Sequence, residues 1–310
     1  MSSSSAFIDF ARAVREAEVR FLLTGRGQPE WSVRNGLCGD LVIQHGRCGA
    51  GMVADGLVAQ PGVVIFVMQS SLDRHAVSLN GMPVARHGIA VLPPGSAFIF
   101  SNAVPHSWIS VTLPLTTVTP SEADRLGGHT EQARASLVAA DAAAFGRILN
   151  AVAAAPLGPG AQTRPEHAHL AAAAVREALV EAIVTSLGGP REAAPHHHGI
   201  VQRALAGGGQ DDAAPMPALV DLCAAAGVCE RTLRRAFRAV YGMPPARYLK
   251  VRQLNRVHAA LLDPLARGRL VTDVLTSHGV TEFGRFAMTY RTLFGELPSQ
   301  TMRRLDGALR

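Results

Sequence analysis

The chain has 310 residues, 48% of them hydrophobic and 17% charged, which is enough apolar material for two cores and excludes a disordered or low-complexity chain. Thirty Lys and Arg against 24 Asp and Glu give a net charge of +6, unevenly placed: residues 196–310 carry sixteen against nine (+7), residues 1–195 fourteen against fifteen (−1). A basic half beside a nearly neutral one is the footprint of a nucleic-acid binder with a separate second domain, and no run approaches the ~18 apolar residues of a membrane helix.

The opening MSSSSAFIDFARAVREAEV has no apolar core of signal-peptide kind, so a cytoplasmic protein without a membrane partner is expected. The four cysteines, Cys38, Cys48, Cys223 and Cys229, form no CxxC or metal-ligand spacing and read as reduced thiols. Residues 15–113 break into short apolar runs (EVRFLL, GDLVIQ, GVVIFVM, HAVSLNG, GIAVLPPGSAFIF, HSWISVTL) punctuated by glycine and proline, the pattern of an all-β barrel or sandwich. Its histidines, His45, His75, His87 and His106, lack the clustered spacing of a metal-dependent barrel enzyme. The one HxH pair, His167 and His169, falls in a later helical region, so neither metal nor cofactor nor catalytic residue is expected.

Beyond Pro120 the texture turns to alanine-rich helix, expected over 130–154 and 165–187 with a break at PLGPGAQT. In the second helix Ala172, Val175, Leu179, Ala182, Ile183 and Ser186 recur at threes and fours as one apolar stripe, which either packs on the strands or pairs two subunits. GGPREAAPHHHG reads as a linker, its histidines His196 to His198 solvated, and a helix over 200–206 follows.

The last hundred residues repeat one pattern. FRAVYGMPPARYL, Phe237 to Leu249, is echoed by YRTLFGELPSQTM, Tyr290 to Met302. At constant offset Leu233 matches Phe286, Phe237 matches Tyr290, Tyr241 matches Phe294, Gly242 matches Gly295 and Pro245 matches Pro298. The aromatic residues share one helical face, the glycine suits a left-handed helix end, and the proline cannot continue that helix. A shorter helix precedes each, over 218–226 and 271–278, ending at Gly227 and Gly279. Helix, glycine turn, helix is a helix-turn-helix unit, present twice. Pro245 to Leu262 reads as one helix of ~26 Å between them, long enough to hold two units one DNA turn apart.

AGVCERTLRRAFRAVYGMPPARYL followed by HGVTEFGRFAMTYRTLFGELPSQT resembles the DNA-binding region of the AraC/XylS transcriptional regulators over about residues 197–305. The resemblance implies an α+β chain with three parts: a cupin-like β-barrel sensor (1–120), a helical dimerisation and linker segment (121–195), and an all-α domain with two helix-turn-helix units (196–310). It further implies a sequence-specific, effector-responsive activator that binds promoter DNA, meets RNA polymerase, forms a homodimer and is no enzyme, and it favours the apolar stripe as the dimer contact. GRFAMTYRTLFGELPS also resembles the ethanolamine-operon subgroup, which puts amines, amino alcohols and nucleotide signals among the effectors to screen. A barrel enzyme, or an effector-independent architectural DNA-binding protein, is the alternative.

In the first unit Arg231, Arg234, Arg235 and Arg238 project opposite the core face, an arginine surface suited to guanine edges and phosphates. The family pattern places Arg231, Arg234 and Arg235 at base-reading positions, with Arg238 and Arg256 on phosphates. The second unit offers Glu282, Phe283, Gly284, Arg285, Ala287 and Met288, poor in donors, so it is expected to anchor through Arg285 and Arg291. Cys229 stands where a serine or threonine usually caps the recognition helix. Trp31, Arg34, His106 and Trp108 are the candidate effector contacts.

Overall fold

The computed structural model describes residues 3–26, 30–69, 77–126, 133–155, 165–186, 191–192, 195–206, 216–266 and 268–307. Helix α1 (Ser3–Ala13) precedes β1 (Glu18–Leu23), β2 (Ser32–Cys38), β3 (Leu41–Cys48), β4 (Met52–Leu57), β5 (Val63–Gln69), β6 (Val77–Leu79), β7 (Met82–Pro83), β8 (Gly88–Leu92), β9 (Ala97–Asn102) and β10 (His106–Pro114). Then come α2 (Pro120–Leu126), β11 (Ser136–Ala139), α3 (Ala142–Ala154), α4 (Pro165–Val184) and β12 (Arg191–Glu192). The C-terminal part is helical: α5 (Pro195–Ala206), α6 (Leu219–Ala226), α7 (Glu230–Tyr241), α8 (Pro245–Leu262), α9 (Val271–Ser277), α10 (Phe283–Phe294) and α11 (Pro298–Gly307).

The β region is two antiparallel sheets, ordered β1-β4-β9-β6-β7 and β12-β11-β8-β5-β10-β3-β2. The expected barrel is therefore two facing sheets, with no hydrogen-bonded closure into one cylinder among the described residues. Successive strand residues point to opposite faces, and here the central strands of each sheet are covered on both faces. On β5, Val64 and Phe66 join the core made with α3 and α4, while Ile65 and Val67 face the space between the sheets. That double burial is why β5 reads as an unbroken apolar run rather than an alternating one. On the five-stranded sheet, Val19, Phe21, Met52, Ala54, Phe98 and Phe100 face the same space, while Leu22, Val53 and Ile99 pack with α5, α6, α7 and α8. The layers run α3 and α4, seven-stranded sheet, cavity, five-stranded sheet, C-terminal helices.

Three expectations need correction. The helix expected over 130–154 begins only at Ala142, because Asp141 accepts hydrogen bonds from the amides of Ala143 (2.8 Å) and Ala144 (2.9 Å) and caps it there. Ser136–Ala139 before it is a strand paired with β8. The stripe on α4 is spent inside the chain: Ala172, Val175, Leu179, Ala182 and Ile183 are all buried against α3 and the seven-stranded sheet, so this face is no dimer contact. The supposed linker holds a short strand, β12, and the first turn of α5, which places His196, His197 and His198 on a helix. His75, the PLGPGAQT break and the GGGQDDAAP stretch lie outside the described residues. No helix among the described residues is long and apolar enough to cross a membrane.

Candidate nucleic-acid interface

The sequence repeat is a structural repeat. Helix α7 buries Leu233, Ala236, Phe237, Val240 and Tyr241, and α10 buries Phe286, Tyr290, Leu293 and Phe294. Gly242 and Gly295 end them in the left-handed region, φ 70° and 79°, which only glycine occupies without strain. The N–H of each glycine bonds back to Arg238 and Arg291 respectively, so even the terminal arginines correspond. Each unit carries its own aromatic core. In the first, Tyr241 and Tyr248 stack at 4.2 Å with Phe237 edge-on to Tyr248. In the second, His258 of α8 stacks on Phe294 at 4.1 Å and its Nδ1 lies 2.5 Å from the Tyr290 hydroxyl. Thr301 donates to Glu296 (2.8 Å), so Tyr290 donates to Thr301 (2.9 Å) and His258 must donate to Tyr290. Burial holds that imidazole neutral, its pKa pushed down to about 3, with Arg304 adding to the effect. Eighteen residues of α8 at 1.5 Å each span about 27 Å and fix the two units to one rod.

The outward faces differ as the residues suggest. Arg231, Arg234, Arg235 and Arg238 are all exposed on α7. Glu230 accepts from Arg234 Nε at 2.7 Å one turn away. Such an exposed pair is worth about 0.3–0.5 kcal/mol, well under the roughly 1–3 kcal/mol of a bidentate guanine contact, so it orients Arg234 without withholding it. On α10 the exposed residues are Phe283, Gly284, Arg285, Met288, Arg291 and Thr292, with Arg285 near Glu282 at 3.4 Å. Lys250, the one lysine of the sequence, lies on α8 over the Phe286 ring at 4.6 Å, at a surface recess it shares with Thr281, Glu282 and Arg285. Nothing in its local sequence marks it. Arg256 is placed differently from the other arginines: it is half-buried, its Nη1 3.3 Å from Met216 Sδ. Cys229 is the N-cap of α7 and makes no side-chain cap bond; its thiol, exposed and 3.4 Å from the Thr232 hydroxyl, has its pKa lowered by that contact and by the Thr232 and Arg231 amides.

The structure separates the four candidate effector contacts. His106 and Trp108 line the cavity between the sheets. Trp31 does not: it precedes the edge strand β2 and packs edge-on to Phe7 (5.0 Å) and Phe10 (5.2 Å) of α1. Arg34 is exposed on β2 beside His45, away from the cavity. The wall also uses Phe21, Met52, Phe98 and Phe100, which no spacing in the sequence marks as cavity-facing. A Cβ at Gly46 would come within 2.0 Å of the Trp108 indole, so the missing side chain is what lets that ring lie flat across β3.

The cavity strands also hold the C-terminal helices. Asn255 of α8 accepts from the Leu23 amide (2.9 Å) and donates to the Leu23 carbonyl (3.0 Å) at the end of β1. Asp55 of β4 is enclosed near Arg20, Tyr241 and Arg252, the last only 1% exposed; burial pushes its carboxyl pKa up, and the arginines partly offset this. Residues 19 and 21 of β1 thus meet the cavity while 20 and 22 meet the helices, and β4 repeats this with 52 and 54 against 53 and 55.

Two helix-turn-helix units on one rigid helix, with arginines displayed on the first, define a DNA-binding domain of the helix-turn-helix class. Residues 222–304 match the family described as a helix-turn-helix domain. Over 73 residues the chain is 41% identical to the XylDLEGF operon transcriptional activator of Pseudomonas putida, and over 79 residues 35% identical to the probable thc operon regulatory protein of Rhodococcus erythropolis. These matches take in 24% and 25% of this chain and 23% of each relative, so the aligned part spans about a quarter of those proteins. Among solved structures it is similar to the AraC-like transcriptional activator CuxR (12% identity, 88% of this chain and 94% of that one, TM-score 0.41) and to ToxT from Vibrio cholerae (9%, 93% and 98%, 0.30). Over residues 222–304 the chain therefore carries a helix-turn-helix domain similar to part of these operon regulators.

Proposed function

We propose that the protein is a ligand-controlled, sequence-specific transcriptional activator rather than an enzyme, acting in the cytoplasm as a homodimer on promoter DNA and together with RNA polymerase. The observation that carries this reading is the pair of matched units fixed on α8 with four arginines exposed on α7. In it, residues 1–120 sense, 121–195 brace the sensor sheet, and 196–310 bind DNA. Because α4 spends its stripe internally, the dimer contact is assigned to another surface. Arg231, Arg234 and Arg235 read bases, Arg238 contacts phosphate, and Arg285 and Arg291 anchor the second unit with the help of α10's N-terminal amides. Arg256, half-buried, contributes less. Effector control is supported by the cavity and the DNA-binding helices sharing β1 and β4, so that any shift of those strands on ligand binding is felt on both faces.

A footprint of the intact protein tests the division of labour. Arg234→Ala should relax preference at one base pair by about 1–3 kcal/mol, whereas Arg291→Ala should weaken all sequences alike. Equal loss of base preference from both would overturn it. Hundreds of occupied sites with no shared sequence would instead support the architectural alternative.

A further inference from the structure

Strands β6 and β7 are joined by two residues, Asn80 and Gly81, within the sequence SLNGMP. Their φ values, 50° and 90°, are both positive, as the tight type I′ hairpin turn requires and as asparagine followed by glycine best tolerates. The turn is pinned from behind. The Asn80 amide donates to the Ile99 carbonyl (2.9 Å), the Ile99 amide donates to the Asn80 side-chain oxygen (2.7 Å), and both Asn80 and Leu79 are buried. At its base the hairpin closes with the Val84 amide donating to the Val77 carbonyl (2.9 Å), and both valines wall the cavity between the sheets.

The tip of this hairpin meets the recognition helix of the first unit. A Cβ at Gly81 would lie 3.1 Å from both the carbonyl carbon and the carbonyl oxygen of Ala239 and 3.4 Å from the amide nitrogen of Val240, so glycine is what lets the two backbones touch. Ile99, the residue that pins the turn, packs its side chain in the same core as Phe237, Val240 and Tyr241. Neither side has room to give: Phe237 and Val240 are fully enclosed on α7, and Leu79 is fully enclosed behind the turn. Ala239 follows Arg238 on the helix whose arginines stay exposed, so the contact bears on the backbone that carries them. The hairpin thus touches the cavity at its base and the recognition helix at its tip.

We infer that the Asn80–Gly81 turn is the seat of the first recognition helix, the contact by which the β half sets the pose in which α7 meets DNA. Its consequence at DNA rests on the DNA-binding reading, while the seat itself is tested without DNA. Gly62 supplies the control: its φ of 82° makes the same backbone demand, and a Cβ there meets nothing within 4 Å. Asparagine tolerates positive φ better than most residues with a Cβ, so Gly81→Asn and Gly62→Asn differ chiefly in the contact with α7. Relative to Gly62→Asn, the Val240 and Tyr241 amides should exchange at least about fivefold faster in Gly81→Asn, the low end of what overpacking costs, while those of Leu293 and Phe294 in the second unit keep their rates. On a duplex that the intact wild-type chain selects from random sequence, Gly81→Asn should bind at least about fivefold more weakly, and Gly62→Asn within about twofold of wild type. Equal exchange in the two variants, or equal affinity for that duplex, overturns the inference. Where Gly81→Asn does not fold, Gly81→Ala against Gly62→Ala, which adds the Cβ alone, makes the same comparison. Selection of no sequence by the wild type would sink the DNA-binding reading and leave the exchange comparison to decide the seat.

Discussion

Asn255 is the test of whether the sensor sheet and the DNA-binding helices move as one. Replacing it by alanine removes both bonds to Leu23 and strands that residue's amide and carbonyl at a partly buried contact. Each lost bond is worth about 1 kcal/mol net, with more where the partner stays enclosed, so the pair contributes about 2–3 kcal/mol. Alanine's better helix propensity returns roughly half a kcal/mol, leaving about 2 kcal/mol. At about 1.4 kcal/mol per factor of ten, the contact should open about 30-fold more often. Amide hydrogen exchange reads this directly, since protection reports local opening. The Leu23 amide should exchange about 30-fold faster in Asn255→Ala while amides of α3, on the far side of the seven-stranded sheet, keep their rates. DNA affinity without effector should hold and the response to effector should weaken. An unchanged Leu23 amide, or an equal acceleration throughout the chain, would refute the claim that this side chain clamps the two layers.

Cys229→Ser supplies the N-cap acceptor that α7 lacks, so it should raise stability by about 0.5–1 kcal/mol in denaturant unfolding without altering the bound DNA sequence. Val175→Asp buries a charge at a fully enclosed position of α4 and should cost at least about 3 kcal/mol, seen as loss of folded protein; a folded monomer replacing a dimer would instead make the stripe an interface. His106 and His258, with pKa values depressed to about 4 and about 3, bind protons in the unfolded chain before the folded one. Their stabilisation is present above the ordinary histidine pKa of ~6.5 and is lost as pH falls toward those values. Between about pH 6 and pH 4 the two together should remove roughly 2.7 kcal/mol per pH unit. Unfolding free energies at pH 7, 6 and 5 check this, and a flat profile across that range would mean the rings are accessible to protons.

The C-terminal half was legible because its signals are local. Each stop glycine, following proline and four-residue aromatic spacing acts within one turn of its own helix, so residues 218–226, 245–262 and 271–278 read almost as they fold. The β half was legible where the apolar run is unbroken, as in VVIFVMQ, and not where a charge and a glycine interrupt it. β4, MVADGL, is not among the apolar runs because Asp55 and Gly56 interrupt it, yet Asp55 is the residue that meets the arginines and tyrosines of the interface. The α4 stripe shows the complementary limit. Spacing reports that a face is covered and says nothing of what covers it.

The same limit hid the contact between the sheets and the C-terminal helices. Leu23 and Asn255 lie 232 positions apart, and no pattern within either segment announces the other. What joins them is the period of two along β1 and β4, which turns one set of residues to the cavity and the interleaved set to α7 and α8. A sheet used on both faces has no spare polar side, so a ligand that shifts Phe21 or Ala54 must also shift Arg20, Val53 or Asp55, because close-packed layers transmit displacement rather than absorb it. The arginine-bearing unit shares a core with Leu22, Val53 and Ile99 through Phe237, Tyr241 and Tyr248, and the second unit with its end of α8 shares one with Leu23, Met52 and Ala54. Both helix-turn-helix units therefore rest on the strands that wall the cavity.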